Sequence, residues 1–264
     1  ILGLGNLAGV VAAVSVGGPG SVFWMWIVAL LSSATAFVES TIALIYREKD
    51  PQGGYRGGAP YFLTKGLNKK WLGVLFVIFA LICWAGVFQI ISNSVTESFN
   101  TAFGINPRIT SIVIVILAAA VLFGRRDKIV KVLDKMVPAM AAIYLIVIIF
   151  IIIKNIAILP ATIIDIFEHA FGIKQFLGGT FGSVVMQGVK RGLFSNEAGS
   201  GSAPCAAAAA DIDHPVKQGL VQALGVFVDT VLICSATAFV ILLSKGSIPE
   251  GLGGMTLLQE SFRY

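Results

Sequence analysis

Charge is scarce in this chain. Of its 264 residues only 12% are Asp, Glu, Lys or Arg, while 56% are hydrophobic, and the mean hydropathy is +0.88. A soluble domain carries about 25% charged residues to keep its surface wet, so an ordinary soluble fold is excluded and lipid must solvate part of the surface. Cysteine is equally thin. Cys83, Cys205 and Cys234 lie in or beside apolar segments and form no C-x-x-C pair, which reads as small packing residues rather than a disulfide or metal framework. The two histidines, His169 and His214, fall in loops expected on opposite sides of a membrane and cannot share a metal. No H-E-x-x-H, no G-K-[ST] phosphate loop and no paired carboxylate with a nucleophile is present, which argues against an enzyme. There is no initiator Met and no signal peptide; the chain reads as a fragment with sequence wanting at both ends.

What is present is a series of apolar runs, near residues 1–16, 21–46, 71–96, 109–124, 137–153, 172–193 and 218–243. A helical span needs about 20 apolar residues, so these predict an all-α polytopic membrane protein of about seven spans. Residues 154–171 alternate apolar positions with Asp165, Glu168 and His169, the pattern of a helix lying in the interface. A second short surface helix is expected between Ser247 and Phe262. The net charge of +5 is not a nucleic-acid patch, because the basic residues stand in short blocks between apolar runs. Arg47, Lys49, Arg56, Lys65, Lys69 and Lys70 crowd the 47–70 loop, and Arg125, Arg126, Lys128, Lys131 and Lys135 the 125–135 loop. The excess of basic residues makes both loops cytoplasmic, so the first helix runs from the cytoplasm outward across the cell membrane. Trp24, Trp26 and Trp71 fall near predicted interfaces, where an amphipathic ring prefers to sit.

Gly3-Leu4-Gly5-Asn6-Leu7-Ala8 matches a dinucleotide-binding fingerprint, but no strand precedes it and no βαβ unit surrounds it. The same residues instead suit a helix that unwinds inside the membrane, with Asn6 supplying an oxygen; such unwound backbone is tolerated only where it lines a site. Close helix packing by Gly and Ala is the plainer reading. The 172–210 stretch offers two further breaks, Gly178-Gly179-Thr180-Phe181-Gly182-Ser183 and the 192–204 stretch GLFSNEAGSGSAP. A break at Gly192 would leave a half-helix from Lys174 to Arg191 of roughly 27 Å, nearly the whole bilayer. It would also hold Lys190 and Arg191 deep in lipid at a cost of several kcal/mol. The mid-membrane break is therefore expected at 178–183, with Asn196 and Glu197 at the cytoplasmic mouth.

Gln89, Asn93 and Glu97 form a polar stripe at i, i+4 and i+8 that should face the bundle interior, Gln89 deepest and Glu97 at the outer rim. Asp229, near the middle of its apolar run, is a candidate for cation binding or coupling. Glu39 and Glu197 have Arg191 as their natural partner, as a gate or as a structural ion pair at the inner mouth. Thr230, Ser235 and Thr237 suit hydroxyls bonded back to their own helix.

Taken together, Gly5-Asn6-Leu7-Ala8-Gly9-Val10, GGPGSVFWMW at 17–26, Tyr46-Arg47, RGLFSNEAGSGSAP at 191–204, His214-Pro215 with Gln218-Gly219-Leu220, and Phe227 to Thr230 resemble the alanine or glycine:cation symporter family, over essentially the whole chain. The resemblance implies a LeuT-type inverted-repeat bundle with broken first and sixth helices, here incomplete. Residues 1–153 would be the first five-helix repeat and 154–264 the start of the second, within one transporter domain. It implies symport of a small neutral amino acid such as alanine or glycine with sodium, with no cofactor beyond that ion; composition and spacing leave sodium or a proton open. Under it Gly3, Gly5, Asn6, Gln89, Asn93, Thr180, Phe181, Gly182 and Ser183 would bind the amino acid. Asn6 and Asp229 would hold or couple the cation, and Glu39, Arg191, Asn196 and Glu197 would gate the cytoplasmic side. An uncoupled channel or facilitator, or a membrane amino-acid sensor that does not transport, are the alternatives.

Overall fold

A computed structural model describes residues 3–51, 53–124, 126–171, 180–244 and 252–263. Among them the chain is helical, apart from one two-residue antiparallel pairing of β1 (Glu48–Lys49) with β2 (Tyr55–Arg56). A 3-10 turn, Leu4–Asn6, leads through Leu7 into α1 (Ala8–Gly17). Gly18, at φ +72°, turns the chain into α2 (Gly20–Ile45). The hairpin and α3 (Ala59–Lys65) precede the long α4 (Lys70–Phe103). Then come α5 (Pro107–Leu122), α6 (Arg126–Lys154), α7 (Leu159–Phe171), α8 (Phe181–Asn196) and α9 (Ser202–Ala208). The last two are α10 (Pro215–Leu243) and α11 (Gly254–Arg263).

Four of these helices are long and apolar enough to cross a membrane: Gly20–Ile45, Lys70–Phe103, Val132–Lys154 and Pro215–Leu243. The segments Leu4–Gly17 and Pro107–Val121 are apolar but shorter. The sixth expected run, 172–193, is only partly described, since 172–179 lie outside the described residues. The core is built from α1, α2, α8 and α10, with Val10, Ala13, Met25, Ala238 and Val240 at 0–1% exposure. The outward faces of α4, α5 and α6 are the opposite: Phe79, Leu81, Val115, Ile146 and Phe150 are all more than 60% exposed. Such a belt is stable only against hydrocarbon or further apolar helices.

Segments far apart in sequence meet at each end of α2. Arg47, at the end of α2, donates to Ala210 O and Ile212 O and stacks its guanidinium 3.7 Å over the Tyr55 ring. At the other end, α7 lies across the start of α2. A Cβ on Gly20 would fall 2.4 Å from the His169 backbone, so only glycine admits this approach. The α11 helix, also expected from the sequence, buries Met255 and Leu258 in the core and docks its first turn on α4. Glu97 Oε1 accepts from the backbone N and the hydroxyl of Thr256, at 3.4 and 3.3 Å, and Gln259 donates to Ser98 O. Thr101 and Thr256 hydroxyls stand 3.1 Å apart. Replacing both by cysteine (T101C with T256C) should give an oxidant-dependent, reductant-reversible disulfide, because the side chains already lie within bridging range. Peptide mass spectrometry on membranes checks this; no cross-link between positions 101 and 256 would mean that α11 does not dock on α4.

Candidate functional site

The described chain enters the first helix through an irregular turn at the residues the sequence singled out. Leu7 sits at φ −104°, ψ −80°, outside helical geometry, between the Leu4–Asn6 turn and α1. The ten residues of α1 rise roughly 15 Å, half of a hydrocarbon core of about 30 Å. No side chain caps α1, so its first N–H groups and the positive end of its dipole face the gap.

The expected break at 178–183 falls partly outside the described residues, which leave out Gly178 and Gly179. Thr180 precedes α8 directly, and Phe181, Gly182 and Ser183 form its first turn. Thr180, Gly182 and Ser183 are exposed, and Phe181 packs edge-on against Trp24, with ring centroids 6.0 Å apart. The helix runs unbroken to Asn196 and stops at Glu197, which takes a left-handed φ of +54°. Residues 197–201 are irregular before α9 begins. Gly188 packs on Ser21 O and the Trp24 Cβ, near the start of α2. Lys190 and Arg191 follow within about one turn, and Arg191 Nε is buried with no hydrogen-bond partner among the described residues.

The two breaks face each other. A Cβ on Gly5 would lie 2.6 Å from Ser195 Cα and 2.9 Å from Phe194 O, so glycine is required for the 3-10 turn to lie against the end of α8. Asn6 and Asp229 are fully buried and Ser195 nearly so. Asn6 Nδ2 donates to Asp229 Oδ1 at 2.6 Å. Ser195 Oγ lies 2.7 Å from Asp229 Oδ2, 3.0 Å from Asn6 Oδ1 and 3.1 Å from Cys234 Sγ. A hydroxyl has one proton to give, so the serine satisfies one of those oxygens and leaves the group short of donors. No basic side chain lies within 4 Å of Asp229 among the described residues. A π-helical stretch, Val228–Cys234, shapes this corner. In an α-helix residues five apart project about 140° from each other; the wider π turn brings Asp229 and Cys234 to the same side, a distortion frequent at functional sites.

Beside this cluster opens a cavity of about 540 Å³, within the 300–1,000 Å³ of ligand pockets. Gly3, Leu4 and Gly5 line one side and Leu193 to Glu197 another, with Trp84, Val87 and Ile91 of α4 opposite. The geometry joins the positive start of α1 and the negative end of α8 at one void, which suits a zwitterion, with an oxygen-rich acidic cluster behind it.

The remaining expectations divide. Asn196 is buried; its Oδ1 accepts from Ala198 N and its Nδ2 reaches Thr230 Oγ1 at 3.5 Å. Glu39 accepts from Gly199 N at 3.3 Å and so does touch the 197–201 break. Arg191 makes no ion pair with Glu39 or Glu197 among the described residues. Gln89 and Asn93 are exposed and do not line the cavity, whose α4 wall is Ala80, Cys83, Trp84, Val87 and Ile91. A polar stripe marks a face that lipid disfavours, not the face that meets Asn6. Thr237 does bond back, to Ile233 O, whereas Ser235 takes the Trp26 indole N–H. Ser195 went unread; the available signal was its place at the end of a helix beside Asn196 and Glu197.

The sequence profile of the sodium:alanine symporter family matches residues 1–264. The chain belongs to this family. It is a membrane transporter family. The chain is 46% identical, over 98% of its length and 54% of the relative's, to the Bacillus subtilis protein named probable sodium/glutamine symporter GlnT. It is 45% identical to the amino-acid carrier protein AlsT of the same organism, over 96% of the chain and 54% of the relative. Against the sodium/alanine symporter AgcS of Methanococcus maripaludis it is 41% identical, over 97% and 57%. The chain thus spans about half the length of the curated relatives it matches. Within it, Gly5→Ala should cost about 1–3 kcal/mol by overpacking. Gly3→Ala, with nothing within 4 Å of its Cβ, should stay within about 0.5 kcal/mol. Thermal unfolding in detergent reads both; equal shifts would mean that the turn does not press on α8.

Proposed function

We propose that this chain forms the substrate and ion corner of a sodium-coupled symporter of small neutral amino acids such as alanine, glycine or glutamine. The first helix runs outward from the cytoplasm, in the LeuT-type arrangement of two inverted five-helix repeats: 1–153 as the first and 154 onward as the start of the second. The observation that carries the reading is the meeting of two broken helices at a buried cluster of Asn6, Ser195 and Asp229. The amino-acid carboxylate takes backbone N–H groups of Leu4 and Gly5, which line the cavity, and its ammonium takes the carbonyl end of α8 at Phe194–Glu197. Asn196 and Glu39 hold the 197–201 break from behind. The cation takes Asn6 Oδ1, Ser195 Oγ and the Asp229 carboxylate. A hard cation wants several oxygens at about 2.4 Å, with neighbouring ligands about 3 Å apart, and Ser195 Oγ stands 2.7 and 3.0 Å from the other two. A proton would need one carboxylate oxygen and no amide or hydroxyl.

The chemistry of coupling follows. Without a cation the cluster carries an uncompensated negative charge in a low-dielectric setting, which repels the carboxylate of the amino acid. With a cation in place that repulsion disappears. The ion and the amino acid then favour each other by the same factor, as linkage requires. In proteoliposomes of the full-length protein, an inward sodium gradient should drive uptake of labelled alanine. Asp229→Asn and Ser195→Ala should each raise the sodium concentration for half-maximal uptake by about 10 to 150-fold, the loss of one hydrogen bond or ligand to a charge, about 1.5–3 kcal/mol. Uptake that ignores sodium and follows the proton gradient would overturn the cation assignment. Uptake that equilibrates without any gradient would make the protein a facilitator.

A further inference from the structure

The cavity is longer than a methyl side chain requires. Its wall on α4 runs from Ala80 to Ile91, roughly 16 Å of helix, longer than a zwitterion held at the two breaks would cover. A second cavity of about 480 Å³ continues between α4 and α9, sharing Ala80, Trp84, Glu197, Ser200, Ala203 and Ala206 with the first and reaching on to Phe76 and Cys205. The passage lies between two alanines on opposite walls, Ala80 of α4 and Ala203 of α9. Its walls are apolar on α4, at Phe76, Ala80 and Trp84, and carry Glu197, Ser200 and Ser202 on the other side. Glu197 takes the Ser202 hydroxyl on Oε2 at 2.5 Å and has no basic partner within 4 Å among the described residues.

We propose that this slot receives the substrate side chain, and that Ala80 and Ala203 set the longest side chain the carrier admits. The inference rests on the amino-acid site at the two helix breaks. A carboxamide of glutamine length fits the chemistry: its methylenes lie along Ala80 and Trp84, and its N–H₂ donates to the Glu197 carboxylate. A cationic side chain would have to give up more of its hydration against the apolar α4 wall of Phe76, Ala80 and Trp84 than a neutral amide does. The short side chain of alanine stays at the breaks and never enters the slot. The two alanines therefore affect glutamine and alanine unequally, which a purely structural role would not do.

The experiment compares sodium-driven uptake of labelled glutamine and alanine by the full-length protein and its Ala203→Leu and Ala80→Leu variants, with lysine as a competitor. Each variant should lower the glutamine-to-alanine ratio of kcat/KM by about tenfold or more, the discrimination that pocket-filling groups provide. An unchanged ratio in folded variants would overturn the slot and leave the site at the breaks standing, as would wild-type protein that carries alanine but is indifferent to glutamine. Lysine competing better than glutamine would overturn the carboxamide assignment. No sodium-driven uptake of either amino acid by wild type would instead overturn the functional reading. A second measurement needs no wall mutation. Cys205 is exposed and lines the far end of the slot, so a substrate side chain lying in the slot would cover it. Mass spectrometry of wild-type protein should find that saturating glutamine slows modification of Cys205 and saturating alanine does not. Equal protection by both, or by neither, would overturn the proposal.

Discussion

The buried contact of Asn6 with Asp229 and Ser195 is the constraint around which the rest is arranged. Three segments far apart in sequence meet there with no water-facing side. A carboxylate at 0% exposure tolerates this only when its oxygens are held by donors, and one amide and one hydroxyl are all that the described residues provide. Each feature around the cluster serves that approach. Gly5 removes a Cβ that would strike Ser195, the 3-10 turn aims Asn6 inward, and the π-helical stretch turns Asp229 and Cys234 to one side.

Unwinding a helix inside a membrane frees backbone groups that lipid cannot satisfy, so breaks survive only against protein or a polar cavity. Here each break is the other's cover. The Leu4–Asn6 turn lies on the last turn of α8, and the irregular 197–201 stretch is held by Glu39 from α2 and by hydroxyls of Ser200 and Ser202 on Glu197. The two helix ends therefore present opposite partial charges to one cavity, with no ionic side chain needed to create them.

Much of this was legible in the sequence. A polar residue in an apolar run announces itself by cost alone, which singled out Asn6 and Asp229. Glycine beside Asn6 announced the first break. A helix at α7 followed from the alternation of apolar and charged positions; α11 was expected as a surface helix, but it buries Met255 and Leu258 in the core. The packing of α8 was not legible. Where it stands along α2 is fixed by Gly188 against Ser21 and Trp24, a contact between residues 164 or more positions apart. Ser195 was missed because its contacts with Asn6 and Asp229 are of the same long-range kind. Gln89 and Asn93 failed differently. Helical period places them on one face of α4, but only the packing of α4 on its neighbours says which face lines the cavity, and that face is Ala80, Trp84, Val87 and Ile91.

The placing of the cluster bears on how coupling could work. Asn6 belongs to the first helix, whereas Ser195 and Asp229 belong to α8 and α10, in the later stretch of chain. On the proposed reading a cation held by all three ties those stretches together more tightly than the Asn6–Asp229 hydrogen bond alone. Any rearrangement that moves α1 against α8 must then either carry the ion along or release it. The amino acid bridges the same two stretches at the facing helix ends a few ångströms away. A state in which α1 and α8 are apart would lose both ligands' contacts at once, and one in which they are together gains both. Differential affinity of this kind is the only means by which a ligand can bias a conformational equilibrium, and the geometry makes ion and amino acid bias the same one.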